Sequence, residues 1–205
     1  MELENSICTF CRHDLPITHF TNFEKNKITF IFSGRIPIEK GFALLIFRKE
    51  GITKNLIHEL KYKNNEVIGS FFGNWIGEIL ADSKEFDTVD CIIPVPIHHK
   101  RKKQRGYNQN TAFGKCLSKY LEKPFIEDKL IRTDFTESQT FKSRTDRFKK
   151  LETQFSVTDI RFFENKHILL IDDVITTGAT IEACVSKLLV AKNIKISIVA
   201  MAYAA

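Results

Sequence analysis

The chain has 205 residues, room for one α/β domain with a sizeable core and a small appendage but not for two large domains. Hydrophobic residues make up 43% and charged residues 27%, as in ordinary globular proteins, and a net charge of +6 favours polyanionic ligands, phosphorylated small molecules and nucleic acid alike. No stretch approaches the ~20 apolar residues of a membrane helix, and "MELENSICTF" lacks the charged-then-apolar order of a secretory signal. The expectation is a cytoplasmic protein without membrane insertion, its five cysteines mostly reduced.

In chain order, residues 1–40 read as a small N-terminal segment and 41–205 as the main domain. Within the first, "CTFCRHDLPITHF" places Cys8 and Cys11 at the spacing of a metal pair, which supplies half of a tetrahedral zinc site. His13 and His19 could complete it, or could be surface or hydrogen-bonded structural histidines. "ALLIF" at 43–47 reads as a strand. A short amphipathic helix follows with Ile52, Leu56 and Leu60 on one face, running into the basic turn "LKYKNN". Ile68, Phe71, Phe72, Trp75, Ile76, Ile79 and Leu80 then form a wide stripe of helical period, the mark of a core helix.

"VDCIIPVP" is an apolar strand closed by prolines, and "IHHKRKKQRGYNQN" a basic loop leading to a helix that begins near Tyr107 and ends before Pro124. "ESQTFKSRTDRFKKLE" reads as an exposed helix. The last third gives strand, helix, strand: "KHILLIDDV", a helix with Ile181, Val185, Leu188 and Leu189 at helical spacing, and "KISIVAMAYAA". Strands apolar throughout and alternating with helices predict a mainly parallel central sheet flanked by helices on both faces.

A parallel sheet places ligands at the carboxyl ends of its strands, which directs attention to "ILLIDDVITTGAT". The turn Thr176, Thr177, Gly178, Ala179 and Thr180 opens a helix, so its free backbone N–H groups and the helix dipole suit one phosphate, with threonine hydroxyls as further donors. Asp172 and Asp173 would repel a phosphate set directly on them. They can instead accept hydrogen bonds from two vicinal sugar hydroxyls one ribose-length away, which describes a ribose 5-phosphate site. Helix-capping acids and threonines would explain any two or three of these residues but not the whole run. A Walker B reading fails because no G-x-x-x-x-G-K-[ST] loop is present.

"ILLIDDVITTGAT" resembles the phosphoribosyl pyrophosphate (PRPP) signature of type I phosphoribosyltransferases. "HELKYKNN", "IIPVPIHHKRKKQRGYNQN" and "TESQTFKSRTDRF" together resemble the ComF family, phosphoribosyltransferase-like proteins associated with competence and DNA uptake, and "RGYNQ" separates this family from nucleotide-salvage enzymes. The resemblance implies a type I phosphoribosyltransferase fold for 41–205, PRPP with Mg²⁺ as ligand, and a segment 1–40 that is a remnant of a zinc-ribbon-like element lacking the earlier C-x-x-C pair of many relatives. It matches "LKYK" at 60–63, with Lys61 and Tyr62, to the pyrophosphate loop; by charge alone Lys61 and Lys63 equally fit a solvated helix end complementing its dipole. The loop 98–105 can close over pyrophosphate, with Lys102 and Arg105 as the cations, can bind nucleic acid, or can be a solvated charged loop. Two functional classes stay open. One is a phosphoribosyltransferase acting on an unidentified acceptor. The other is a non-catalytic module that assembles with DNA-uptake partners such as a competence helicase, or with single-stranded DNA.

Overall fold

The apolar runs become strands in a computed structural model that describes residues 7, 9–63, 65–133 and 154–205. Among the described residues six strands form: β1 (Gly41–Phe47), β2 (Cys91–Pro94), β3 (Leu130–Arg132), β4 (Phe155–Val157), β5 (His167–Ile175) and β6 (Lys195–Ala204). Four of them make a sheet in the order β1-β6-β5-β2, every neighbouring pair parallel, while β3 and β4 pair antiparallel by themselves. The expected α/β class with a mainly parallel central sheet is what the chain adopts.

Each face of the sheet is covered by helices, which is why its strands are apolar at successive positions. One face places Leu44, Leu169, Ile171, Val199 and Met201 against α3 (Ile52–Tyr62), α4 (Glu66–Ser83) and α6 (Asn110–Leu121). The other places Ala43, Ile168, Leu170, Ile198 and Ala200 against α2 (Lys27–Phe32) and α7 (Ala179–Leu188). Helices α4 and α6 approach so closely that a Cβ on Gly73 would lie 2.9 Å from the Phe113 carbonyl oxygen. Facing the sheet, α3 buries Thr53, Ile57 and Leu60, with Ile52 and Leu56 half-buried, so its apolar face is centred one position from the expected one.

Residues of the N-terminal segment enter both cores: Leu15 and Phe23 join the α3–α4–α6 side, Ile28 and Phe32 the α2–α7 side. After the short helix α1 (Thr9–His13), the chain runs along the open edge of β1, where Thr18 N–H donates to the Leu44 carbonyl at 2.9 Å and Ile46 N–H to the Pro16 carbonyl at 2.8 Å. An edge strand that would otherwise present unpaired amides is thereby covered.

Two local readings differ from expectation. The basic stretch is not a loop: α5 (His99–Arg105) forms, capped by the His98 side chain, which accepts from Lys100 N–H at 3.2 Å, and ended by Gly106 at φ +79. Lys, Arg and Gln are good helix formers, and Gly106 supplies the left-handed stop. Strand β5 also runs one residue past the expected "KHILLIDDV", through both acids and Val174 to Ile175, because β6 pairs with it as far as Tyr203. The helix expected over "ESQTFKSRTDRFKKLE" lies outside the described residues. Among the described residues no helix is long and apolar enough to cross a membrane.

Candidate functional site

The carboxyl half of β5 carries Asp172 and Asp173, 9% and 3% exposed. Strand alternation turns Asp173 toward the α3 and α6 side. There Lys61, from the last turn of α3, pairs with Asp173 Oδ1 at 2.7 Å, and the Gln109 Nε2 donates to Asp173 Oδ2 at 2.7 Å. Asp172 Oδ1 accepts from Asn110 Nδ2 at 3.2 Å and from the backbone N–H of Asp173 at 2.8 Å. Burial, reinforced by the neighbouring Asp173 charge, pushes the Asp172 carboxyl up to about 7, while Lys61 and Asn110 pull the other way. Two adjacent buried acids are costly unless cations and amides face them, and this site supplies both.

Those amides come from "NQN" at the start of α6, and the sheet order explains their arrival. Strand β2 lies beside β5, with Val95 N–H donating to the Ile171 carbonyl at 2.8 Å, so the chain leaving β2 must pass the acids before entering α6. Asn108 and Gln109 are 7% and 6% exposed and Asn110 is fully buried. Asn108 Oδ1 accepts from the Asn110 backbone N–H at 3.1 Å, and Asn110 Oδ1 is a buried acceptor without a hydrogen-bond partner among the described residues. The hydroxyl of Tyr107 donates to the Leu60 carbonyl, fixing the turn of α3 that carries Lys61.

The turn after β5 is separately braced. Gly178 adopts φ +77, and a Cβ there would meet Phe32 Cε1 of α2 at 2.6 Å, so glycine is required by both conformation and space. Arg35 donates to the Thr177 carbonyl at 3.0 Å and pairs with Glu182 in α7. The first turn of α7 leaves backbone N–H groups without intrahelical partners; that of Ala179 donates to Thr177 Oγ1 at 3.4 Å. Thr176 and Thr177 are exposed and Thr180 half-buried, so the turn presents hydroxyls and amides outward on a rigid support.

Of the residues singled out by sequence, Lys61, Tyr62, Arg105, Asp172 and Asp173 come together. Tyr62 is 64% exposed, with the Arg105 guanidinium over its ring at 5.0 Å, and Arg105 Nη1 donates to Gln109 Oε1 at 2.8 Å. Residues 176–180 follow on the same strand end. Lys102 stands apart, exposed on α5 and without an ion pair among the described residues. Cys8 lies outside the described residues, and Cys11 is half-buried against the α3–α4–α6 core. Among the described residues no group of three or more His, Cys, Asp or Glu side chains suits a metal ion. That donor set does not make a protein cage for Mg²⁺. It fits an ion carried on the oxygens of a phosphorylated ligand, with the acid pair as the nearest carboxylates. Sequence reasoning missed Gln109, Asn110 and Arg35; the three amide residues in "YNQN" were the available signal for the first two.

The fold and this cluster define an α/β protein with an acidic pair and a Thr-Gly turn at the carboxyl ends of a parallel sheet. The chain is 33% identical over 138 residues to Competence protein F of Haemophilus influenzae, 30% over 129 to DNA utilization protein YhgH of Escherichia coli and 29% over 140 to Competence protein ComFC of Bacillus subtilis. These matches take in 65%, 62% and 66% of this chain but only 60%, 56% and 53% of the relatives' lengths, so the chain spans less than two thirds of each. They bear out the resemblance carried by the motifs: the chain is similar to proteins named for competence and DNA utilization. No family model matches it. Solved structures similar to it include hypoxanthine phosphoribosyltransferases from Trypanosoma cruzi (TM-score 0.44, 9% identity, 67% of this chain and 74% of that one) and Staphylococcus aureus (0.40, 15%, 66% and 62%).

Proposed function

We propose that the chain is a phosphoribosyltransferase-like protein that binds PRPP with Mg²⁺ and transfers the phosphoribosyl group to an acceptor in the service of DNA uptake. The observation that carries the reading is the buried Asp172–Asp173 pair, faced by Lys61, Gln109 and Asn110, directly before a braced Thr-Gly turn. In this reading residues 176–180 hold the 5-phosphate and the acids accept from the two ribose hydroxyls. Lys61 and Arg105, with Lys102 from the exposed face of α5, meet the pyrophosphate. The acceptor's lone pair forms a bond to the anomeric carbon as the carbon–oxygen bond breaks, and pyrophosphate leaves with that electron pair. Mg²⁺ supplies neutralisation of the pyrophosphate charge. The protein's own part is positioning and charge, and no cysteine is needed for it.

Calorimetric titration with PRPP, with and without Mg²⁺, followed by a screen for pyrophosphate release with candidate bases, tests both halves. Absence of PRPP binding overturns the site; binding without release under every acceptor favours the second reading. That reading is a non-catalytic module for DNA-uptake partners or single-stranded DNA. It draws on α5, where Lys100, Arg101, Lys102 and Lys103 are exposed and make no ion pair among the described residues, and on the exposed ring of Tyr62 nearby.

A further inference from the structure

The acid pair and the basic helix are joined by a closed ring of contacts, and Gln109 is its keystone. Asp173 Oδ1 meets Lys61 at 2.7 Å; Lys61 is followed in α3 by Tyr62; the Tyr62 ring carries Arg105 at 5.0 Å; Arg105 Nη1 donates to Gln109 Oε1 at 2.8 Å; and Gln109 Nε2 returns to Asp173 Oδ2 at 2.7 Å. Gln109 is 6% exposed, so its amide has little access to water in place of either partner. Its orientation is fixed from both ends, since a guanidinium can only donate and an ionised carboxylate can only accept. Only a neutral side chain with one donor end and one acceptor end closes this ring. Glutamate would set a third carboxylate against Asp173, and an apolar residue would leave both Asp173 and Arg105 one partner short.

Arg105 is the last residue of α5, which Gly106 then terminates. Whatever fixes Arg105 therefore fixes the end of the helix that carries Lys100 to Lys103. We infer that Gln109 is a positioning residue that sets the site's preference for a pyrophosphate-bearing ligand over a sugar monophosphate, by holding Arg105 in register with Asp173. The inference rests on the ribose-phosphate reading above and deepens it. A ligand held only by residues 176–180 and the acids does not need Arg105, whereas one with a second anionic group beyond the sugar does.

The test measures affinities for PRPP and for ribose 5-phosphate in wild type, Gln109→Leu, Arg105→Gln and the double variant, with thermal unfolding as the fold control. Expected are a loss of about tenfold or more for PRPP in each single variant, the size of one charge-assisted contact, with ribose 5-phosphate changing within about threefold in Arg105→Gln and losing less than PRPP in Gln109→Leu. The double variant is expected to be no worse than Arg105→Gln alone, because Gln109 acts on the pyrophosphate through Arg105. Arg105→Gln alters a half-buried surface residue and keeps the test alive if Gln109→Leu does not fold. Equal losses for the two ligands, or additive losses in the double variant, overturn the inference and leave the site reading intact. Wild type that binds neither ligand overturns both.

Discussion

Replacing Gly178 by alanine separates the two reasons for a glycine there. The left-handed conformation at φ +77 costs an L residue about 1–2 kcal/mol. The new methyl would sit 2.6 Å from Cε1 and 3.0 Å from Cζ of Phe32, and 3.1 Å from Cγ2 of Ile31. Phe32 is fully buried, so it cannot swing into solvent, and overpacking of this kind costs about 1–3 kcal/mol. The sum, about 2–5 kcal/mol, corresponds to a fall in melting temperature of about 5–15 °C for a chain of this size. Urea unfolding should show a lower midpoint at unchanged slope, and ribose 5-phosphate affinity should drop with it as the turn shifts off its support. Phe32→Leu in the same background should recover part of the stability by relieving the contact, leaving the conformational part. An alanine variant that unfolds at the wild-type midpoint, or a strictly additive response to Phe32→Leu, would refute the assignment of this turn to a braced left-handed cradle.

Changing both Asp172 and Asp173 to asparagine is expected to weaken PRPP binding, each charged acceptor being worth about 1.5–3 kcal/mol, and titration calorimetry with unchanged affinity would remove the acids from the sugar. Lys61→Met should lower stability by about 3 kcal/mol in denaturant titration, because Asp173, its side chain 4% exposed, loses its direct cation. For His167, burial holds the imidazole below its usual value of 6.5, with Nδ1 and Nε2 engaged by Thr88 Oγ1 at 2.9 Å and Ser197 Oγ at 2.8 Å. A depressed histidine contributes stability that is present above 6.5 and lost as pH falls below it, so the difference in melting temperature between wild type and His167→Gln should shrink from pH 7.5 to 5.5. The difference is needed because the raised Asp172 carboxyl acts in the opposite direction over the same window. Metal analysis of the purified chain should find well under one zinc per chain; a stoichiometric, chelator-resistant zinc would show that His13, His19 or another subunit completes the Cys8–Cys11 pair.

The parallel sheet was legible because its strands are buried on both faces and so carry apolar residues at consecutive positions, a pattern that needs no partner to be seen. The same holds for "IDDVITTGAT", whose acids and turn are contiguous in sequence. What the sequence conceals is whatever depends on strand order. Gln109 and Asn110 look like any polar loop residues until β2 is laid beside β5, which brings the start of α6 onto the acids. Helix α5 carries no apolar periodicity, since none of its residues is buried, and its existence turns on helix propensity and the stop at Gly106. Strands β3 and β4 have three residues each, too few for alternation to register.

The arrangement of countercharges bears on which ligand the site favours. Both oxygens of Asp173 are occupied, one by Lys61 and one by Gln109, so a sugar hydroxyl can use Asp173 fully only by competing with a contact already made. Displacing Lys61 would expose a cation that has lost its carboxylate, an unfavourable state beside a buried acid pair unless another anion receives it. A sugar monophosphate held at residues 176–180 brings no such anion to the far side of the acids. A ligand whose sugar carries a second phosphorylated group there does, and the ammonium released from Asp173 can then re-pair with it while a sugar hydroxyl takes its place on the carboxylate. Lys61, a single ammonium on a flexible four-carbon stem, is thus suited to exchange partners, while Arg105, tied through Gln109 and stacked on Tyr62, is suited to stay in place. One exchangeable cation on the carboxylate and one fixed cation linked to it through Gln109 would make the site respond to the whole ligand and not to its sugar alone.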